Sequence, residues 1–339
     1  MTVTVLLLAY ATAAGTLGAK LLARAGWMAR APLLATLTYL AAAWSVVAAL
    51  GLAGLTLAVH ATALGGALSQ LIGACVLRLR ATYATPGGAA VAEAGLLLSA
   101  AVVARTAFSA TGHLRTARRQ ALRHARTARL VGRPDATLGA VLVEHAQPAA
   151  YCVAGRHPTV ILTTAARQIL HPAQLQAVLA HERAHLAWHH HRLLAIARIG
   201  RRVLPFLPLM RAAEIQVERL VELHADDVAT HVADPSALAT ALVVLAAASP
   251  VPAAGPAPAA GPAPASGPAP TPAGPAAALA AAATDAVQRI HRLLHPAVPL
   301  AAPRRMLLRA LAVGFALLPG LLALAPALLA LALGRVPHA

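Results

Sequence analysis

The 339-residue chain contains Ala180-His181-Glu182-Arg183-Ala184-His185 inside a stretch that reads as helix. Four residues of α-helix turn about 400°, so His181 and His185 stand on one face, one turn apart. Two imidazoles at that spacing can reach one zinc ion at about 2.0–2.1 Å. Glu182 follows the first imidazole, where a carboxylate can take a proton from water activated by such an ion. With 16 His and six Glu in the chain, chance yields this pattern on the order of 0.01 times. The surrounding residues Leu175, Val178, Leu179, Leu186, Leu193 and Leu194 are apolar. A charged cluster in an apolar helix needs partners, and a metal supplies them.

A catalytic zinc takes three protein ligands and keeps one position open. His191 is one candidate, six residues after His185. That arrangement needs a glycine three residues after His185 to bring the chain back, and Trp188 stands there. The helix is therefore expected to continue to about Arg198 and to carry His191 to another face. Glu222 is the other candidate, in Glu222-Leu223-His224-Ala225-Asp226 on a second helix read from about Arg211 to His231. It completes a His₂Glu set of the kind used for peptide hydrolysis. Asp226 lies one turn further on the same face, placed to accept the N–H of a ligand histidine. Glu214 and Glu218 share that helix, and Glu218 is the next alternative as ligand. Only 11 acidic residues exist in the chain, so their concentration here is informative. His189 continues the histidine stripe, but His189, His190 and His191 read as a solvated patch at the helix end. His224 reads the same way, and Cys152 as a small apolar filler.

The elements that must position these residues sit in an apolar chain. Hydrophobic residues make up 59 % and charged residues 12 %, with mean hydropathy +0.68. A water-soluble domain carries about 25 % charged residues, so much of the chain belongs in lipid. Disorder throughout, a collagen-like repeat and a disulfide framework are excluded; Cys75 and Cys152 lie in unlike segments. The net charge of +17 fits basic loops on the cytoplasmic side of a membrane better than nucleic-acid binding, which is not expected.

Three transmembrane helices are expected in 1–112, at about 2–22, 32–55 and 90–112, with Glu93 at an interface. Lys20, Arg24 and Arg30 mark a cytoplasmic loop. Residues 113–135, with Arg115, Arg119, Arg123 and Arg126 at helical spacing, read as a basic juxtamembrane helix on anionic headgroups. Residues 136–248 form the metal-bearing domain, with Ala150–Val153 and Thr159–Thr163 as a β-hairpin. The latter strand is expected to hold an extended substrate by strand addition. Residues 249–278 are a Pro/Ala/Gly-rich linker; 10 of the 25 prolines fall in 249–276, so no core can form there. A short helical segment is expected in 279–303, over Asp285–Leu294. A final transmembrane helix follows in 304–335, despite Pro319 and Pro326.

His181-Glu-x-x-His185 followed by Glu222-x-x-Ala-Asp226 resembles the integral-membrane zinc peptidases of the BlaR/MecR antirepressor type. The CAAX-prenyl-protease and HtpX branch shares the pattern. The Gly155–Leu162 hairpin, Gln174–His185 and Gln288-Arg-Ile-His-Arg-Leu-Leu294 also resemble that peptidase region. The chain stops shortly after its last span, so the resemblance implies a relative without the outer penicillin-binding sensor. It further implies that His181, His185 and Glu222 bind one Zn²⁺ ion, that Glu182 is general base, and that Asp226 supports a ligand. The expected fold is mainly α: a polytopic helical membrane protein with a cytoplasmic zinc-metallopeptidase domain of helices and a small sheet. The expected function is endoproteolysis of a cytosolic protein, with a transcriptional repressor in a signalling pathway as one candidate. An HtpX-like quality-control protease and a non-catalytic zinc-binding scaffold are the alternatives. The lipid bilayer and the protein substrate are the expected partners.

Overall fold

The computed structural model describes residues 2–58, 88–155, 158–248 and 275–332. The outer apolar stretch with Cys75, Arg78 and Arg80, and most of the proline-rich linker, lie outside the described residues. In chain order the elements are α1 (Thr2–Ala23), α2 (Pro32–Ala58), α3 (Gly88–Val131), β1 (Gly132–Asp135), β2 (Ala140–Val143), β3 (Ala150–Val153) and β4 (Thr159–Thr163). The helices α4 (Thr164–Ile169), α5 (Pro172–Ala187), α6 (His190–Val203), α7 (Pro208–Ala229), α8 (Pro235–Ala248), α9 (Pro275–Leu294) and α10 (Ala302–Ala332) follow. The protein is thus mainly helical, with one four-stranded mixed sheet among the described residues.

The chain divides into two compact units. The first comprises residues 1–117, 190–221 and 299–339. It holds four helices long and apolar enough to cross a bilayer: Thr2–Ala23, Pro32–Ala58, Ala90–Arg123 and Ala302–Pro326. Their core is built on α2, whose Tyr39, Val46 and Ala49 are fully buried. Small residues let two of these helices touch backbone to backbone. A Cβ on Gly54 would come within 2.6 Å of Ser99 Oγ and 2.7 Å of the Gly95 carbonyl oxygen. Ser99 Oγ donates to the Gly51 carbonyl at 2.8 Å, a contact of the kind that binds helices where no hydrophobic force acts between them. The apolar stretch and the basic segment that the sequence separates form the single helix α3, and Gly132–Asp135 beyond it is strand.

The second unit comprises residues 118–189 and 222–298. Its sheet has the order β1-β2-β4-β3, with β2 and β4 parallel and the other pairs antiparallel. The expected hairpin is present, since Ala150–Val153 pairs with Thr159–Thr163. The strands β1 and β2 were not legible in advance. Because β4 lies between β2 and β3, both of its edges are occupied and it cannot accept a substrate strand. The expectation that Thr159–Thr163 binds an extended peptide is corrected on that ground. Sheet and helices enclose a core of Val160, Leu162, Leu175, Val178 and Leu179. A second cluster joins Ala177, Leu238, Ala239 and Leu293 from α5, α8 and α9.

Candidate metal centre

The helix α5 starts with Pro172 at its first turn, capped by a reciprocal bond pair between His171 and Gln174. Leu175, Val178 and Leu179 bury one side against the sheet. His181 follows on that buried side, 7 % exposed, with His185 one turn later. The helix then ends. The Trp188 N–H bonds to the Ala184 carbonyl at 3.0 Å, and His189 adopts φ 51°. That left-handed conformation is uncommon outside glycine and closes the helix C-terminus. A helix continuing to Arg198 is therefore corrected: α6 restarts at His190. His189 does not extend the stripe, and His190 is buried at 1 % exposure rather than solvated. His224 is also buried, its ring set edge-on to Trp188 at 4.8 Å between centroids.

Three side chains converge. His181 Nε2 and His185 Nε2 lie 3.0 Å apart. Glu222 Oε2 is 3.5 Å from His181 Nε2, and Glu222 Oε1 is 3.5 Å from His185 Nε2. Among the described residues these three form the group able to hold a metal ion. The spacing fits the ion. Ligands about 2.0–2.1 Å from a tetrahedral centre are separated by about 3.3 Å, and the observed separations straddle that value. Of the other candidates, Glu218 pairs with Arg198 at 2.9 Å and Glu214 with Arg201 at 4.0 Å; neither they nor His191 belong to the group.

Behind the ligands lies a buried carboxylate. Asp226 Oδ1 stands 3.0 Å from His181 Nδ1. The approach is too oblique for an aligned hydrogen bond, and Nδ1 is a buried polar atom without one. A small rotation of the ring would complete the bond, as expected when Nε2 is drawn toward an ion. Arg289 of α9 clamps the arrangement: its Nε donates to Asp226 Oδ2 at 2.8 Å and its Nη2 to Oδ1 at 2.7 Å. Its Nη1 reaches Glu222 Oε2 at 3.0 Å. One turn on, Arg292 Nη2 donates to Asp227 Oδ2 at 2.8 Å.

These charges set the protonation pattern. Burial opposes ionisation of Glu222, but hydrogen bonding from His181 and the Arg289 charge hold its carboxyl down at about 2. Burial likewise opposes ionisation of Asp226, but the two Arg289 hydrogen bonds and the positive charge on His181 hold its carboxyl at about 2. Burial also opposes charge on His181, yet the Asp226 and Glu222 carboxylates raise it to about 9. Burial, with the neighbouring positive charges, pushes His185 down to about 4. The pocket thus keeps two carboxylates ionised beside an imidazole pair that shares positive charge, and a divalent cation would displace that proton.

Glu182 projects to the neighbouring strand, where the Cys152 thiol of β3 lies beside its carboxylate. Burial is the main cause that raises the Glu182 carboxyl. Burial and the adjacent Glu182 push the Cys152 thiol up to about 12. Cys152 is therefore a partner of the glutamate rather than a mere filler. Arg289 and Cys152 are the two residues whose part in the site the sequence reading missed. Arg289 carried one signal: together with Arg292 it forms an i, i+3 arginine pair to match Asp226 and Asp227.

A sequence model of peptidase family M48 matches residues 113–297. It covers more than half of the chain, the three converging side chains, Glu182 and the arginine clamp. No curated protein and no solved structure matches the chain.

Proposed function

The chain belongs to peptidase family M48, and from that premise we propose a zinc-dependent endopeptidase held in a membrane by four spanning helices. The observation that carries it is the convergence of His181, His185 and Glu222 with Glu182 on the adjoining turn. In this reading the two imidazoles and the Glu222 carboxylate hold one zinc ion. When bound, the ion supplies a Lewis acid that makes water acidic near neutral pH and polarises the peptide carbonyl. Glu182 takes the proton from the attacking water and returns it to the leaving amine. Its burial raises its carboxyl toward the working pH, and Cys152 holds its orientation. Asp226 fixes the ring of His181, and Arg289 fixes both carboxylates.

The strand β3 rather than β4 is proposed to carry the substrate. It stands at the end of the sheet, with β4 on one side and no strand on the other among the described residues. Its Cys152 reaches Glu182, so a peptide added along it passes beside the base. The arginine-rich loops favour a cytoplasmic site. Two substrates fit this proposal: one cytosolic repressor, as for a signalling protease of the BlaR/MecR type, or damaged membrane proteins, as for an HtpX-like quality-control protease. Sequencing of new protein N-termini in cells with and without Glu182→Gln separates them: one cleaved cytosolic protein supports the first, and many membrane fragments the second. Purified Glu182→Gln should retain metal and lose turnover by about 10²–10⁴-fold; unchanged peptide hydrolysis would remove Glu182 from the mechanism.

A further inference from the structure

Between α6 and α7 the chain reads Arg202-Val203-Leu204-Pro205-Phe206-Leu207-Pro208-Leu209-Met210-Arg211. An uncharged apolar tip is flanked by arginines. Half of it is buried: Val203, Leu204, Leu209 and Met210. Apolar helices of the same unit pack against it. A Cβ on Gly15 of α1 would lie 3.1 Å from Leu207 Cδ1, and one on Gly18 would lie 3.7 Å from Leu209 Cδ2. A Cβ on Gly200 would meet Met210 Sδ at 3.5 Å and Trp44 Nε1 of α2 at 3.8 Å.

These contacts set a depth. At 1.5 Å per residue, Gly15 lies about 7 Å along α1 from Lys20, and Trp44 about 18 Å along α2 from its start. The tip therefore packs beside apolar turns of the spans, not beyond their charged ends. Its backbone is treated accordingly. Arg105, within the apolar part of α3, donates from Nε to the Val203 carbonyl at 2.7 Å and from Nη2 to the Arg202 carbonyl at 2.9 Å. Leu204, Leu207 and Met210 N–H groups bond to carbonyls three or four residues back. Carbonyls at a helix end need such donors only where water is scarce. The next charges along the two helices are paired within the hairpin, Arg198 with Glu218 and Arg201 with Glu214, which lowers their cost near a low-dielectric medium.

Leu207 is half-buried, while Pro205, Phe206 and Pro208 are exposed, Phe206 at 74 %. At that depth the neighbouring medium is hydrocarbon. We propose that the α6–α7 tip is a re-entrant element seated in one leaflet of the bilayer. Phe206 and the two prolines face acyl chains, and the exposed Arg202 and Arg211 reach lipid phosphates. The segment between the HExxH helix and Glu222 is thereby a membrane anchor in addition to the four spans. This inference rests on the membrane reading of the spans and is independent of any peptidase activity.

The test uses the full chain in phosphatidylcholine/phosphatidylglycerol liposomes, with Cys75 and Cys152 replaced by Ala. Nitroxide labels are placed singly at Phe206→Cys and Pro208→Cys. Leu17→Cys, exposed on α1, serves as lipid reference, and Val232→Cys, exposed outside the spans, as water reference. Collision with oxygen and with a water-soluble nickel chelate is read for each. The expected result is lipid-like behaviour at 206 and 208, with chelate access no greater than at 17. Chelate access matching position 232 would overturn the proposal and make the tip an aqueous surface. Shielding from both reagents would also overturn it, since protein or a second copy would then cover Phe206. Both substitutions replace exposed side chains, so folding is not at issue.

Discussion

Asp226→Asn removes one negative charge while preserving shape, and the structure sets the size of the effect. The Asp226 side chain is 1 % exposed and receives two bonds from Arg289, at 2.8 and 2.7 Å. Depression of its carboxyl from 3.8 to about 2 corresponds to about 2.5 kcal/mol of stability. Removing one partner of a buried ion pair costs about 3–5 kcal/mol, but Arg289 retains Glu222 at 3.0 Å, so the lower end applies. A loss of about 2.5–3 kcal/mol lowers Tm by roughly 5–10 °C for a domain of this size. The sign with pH follows from the depressed carboxyl. Its contribution is complete above the unfolded value of 3.8 and is lost as pH falls toward about 2. Thermal unfolding of the metal-free full chain in detergent should therefore show its full deficit at about pH 5–6, a smaller one as pH rises from 6.5 toward 9 because Asp226 also raises His181, and a vanishing one near pH 2–3. Competition with a chelator should show zinc held about 10–100-fold more weakly, because the His181 ring loses its orienting carboxylate. A Tm within about 1 °C of the parent, with zinc affinity unchanged, would refute the reasoning.

Two further outcomes are expected. Cys152→Ala removes the thiol beside Glu182 and should reduce kcat about tenfold with little change in KM, about 1.4 kcal/mol and within the range of one weak hydrogen bond; Cys152→Ser should restore most of it, and equal losses in both variants would make the contact irrelevant. Gly54→Val inserts side-chain atoms where a Cβ alone meets Ser99 Oγ at 2.6 Å, so stability in detergent should fall by about 1–3 kcal/mol; an unchanged melt would show that these helices do not pack closely.

The grouping of His181, His185 and Glu222 was legible because helical periodicity fixes the first two on one face and a second helix carries few alternatives. The arginine clamp was not, because Arg289 meets Asp226 across 63 positions and nothing local in α9 requires that pairing. The break after Ala187 was hidden for a different reason. Ala-Trp-His-His carries neither Gly nor Pro, yet His189 adopts a left-handed conformation that ends the helix. β1 escaped notice because Gly132-Arg-Pro-Asp shows no apolar alternation and contains Pro134, which an edge strand tolerates. The four helices long and apolar enough to cross a bilayer were the easiest part to read, since an uncharged run of about 20 residues has few other uses.

The account stands on one ion held by two imidazoles and one carboxylate. X-ray absorption at the zinc edge, on the purified full chain loaded with equimolar zinc, examines it directly. The expected spectrum shows two imidazole nitrogens with oxygen donors at about 2.0–2.1 Å and no sulfur, and Glu222→Ala should lose an oxygen neighbour. A sulfur shell, which would point to Cys152, or a spectrum that Glu222→Ala leaves unaltered, would contradict the assignment.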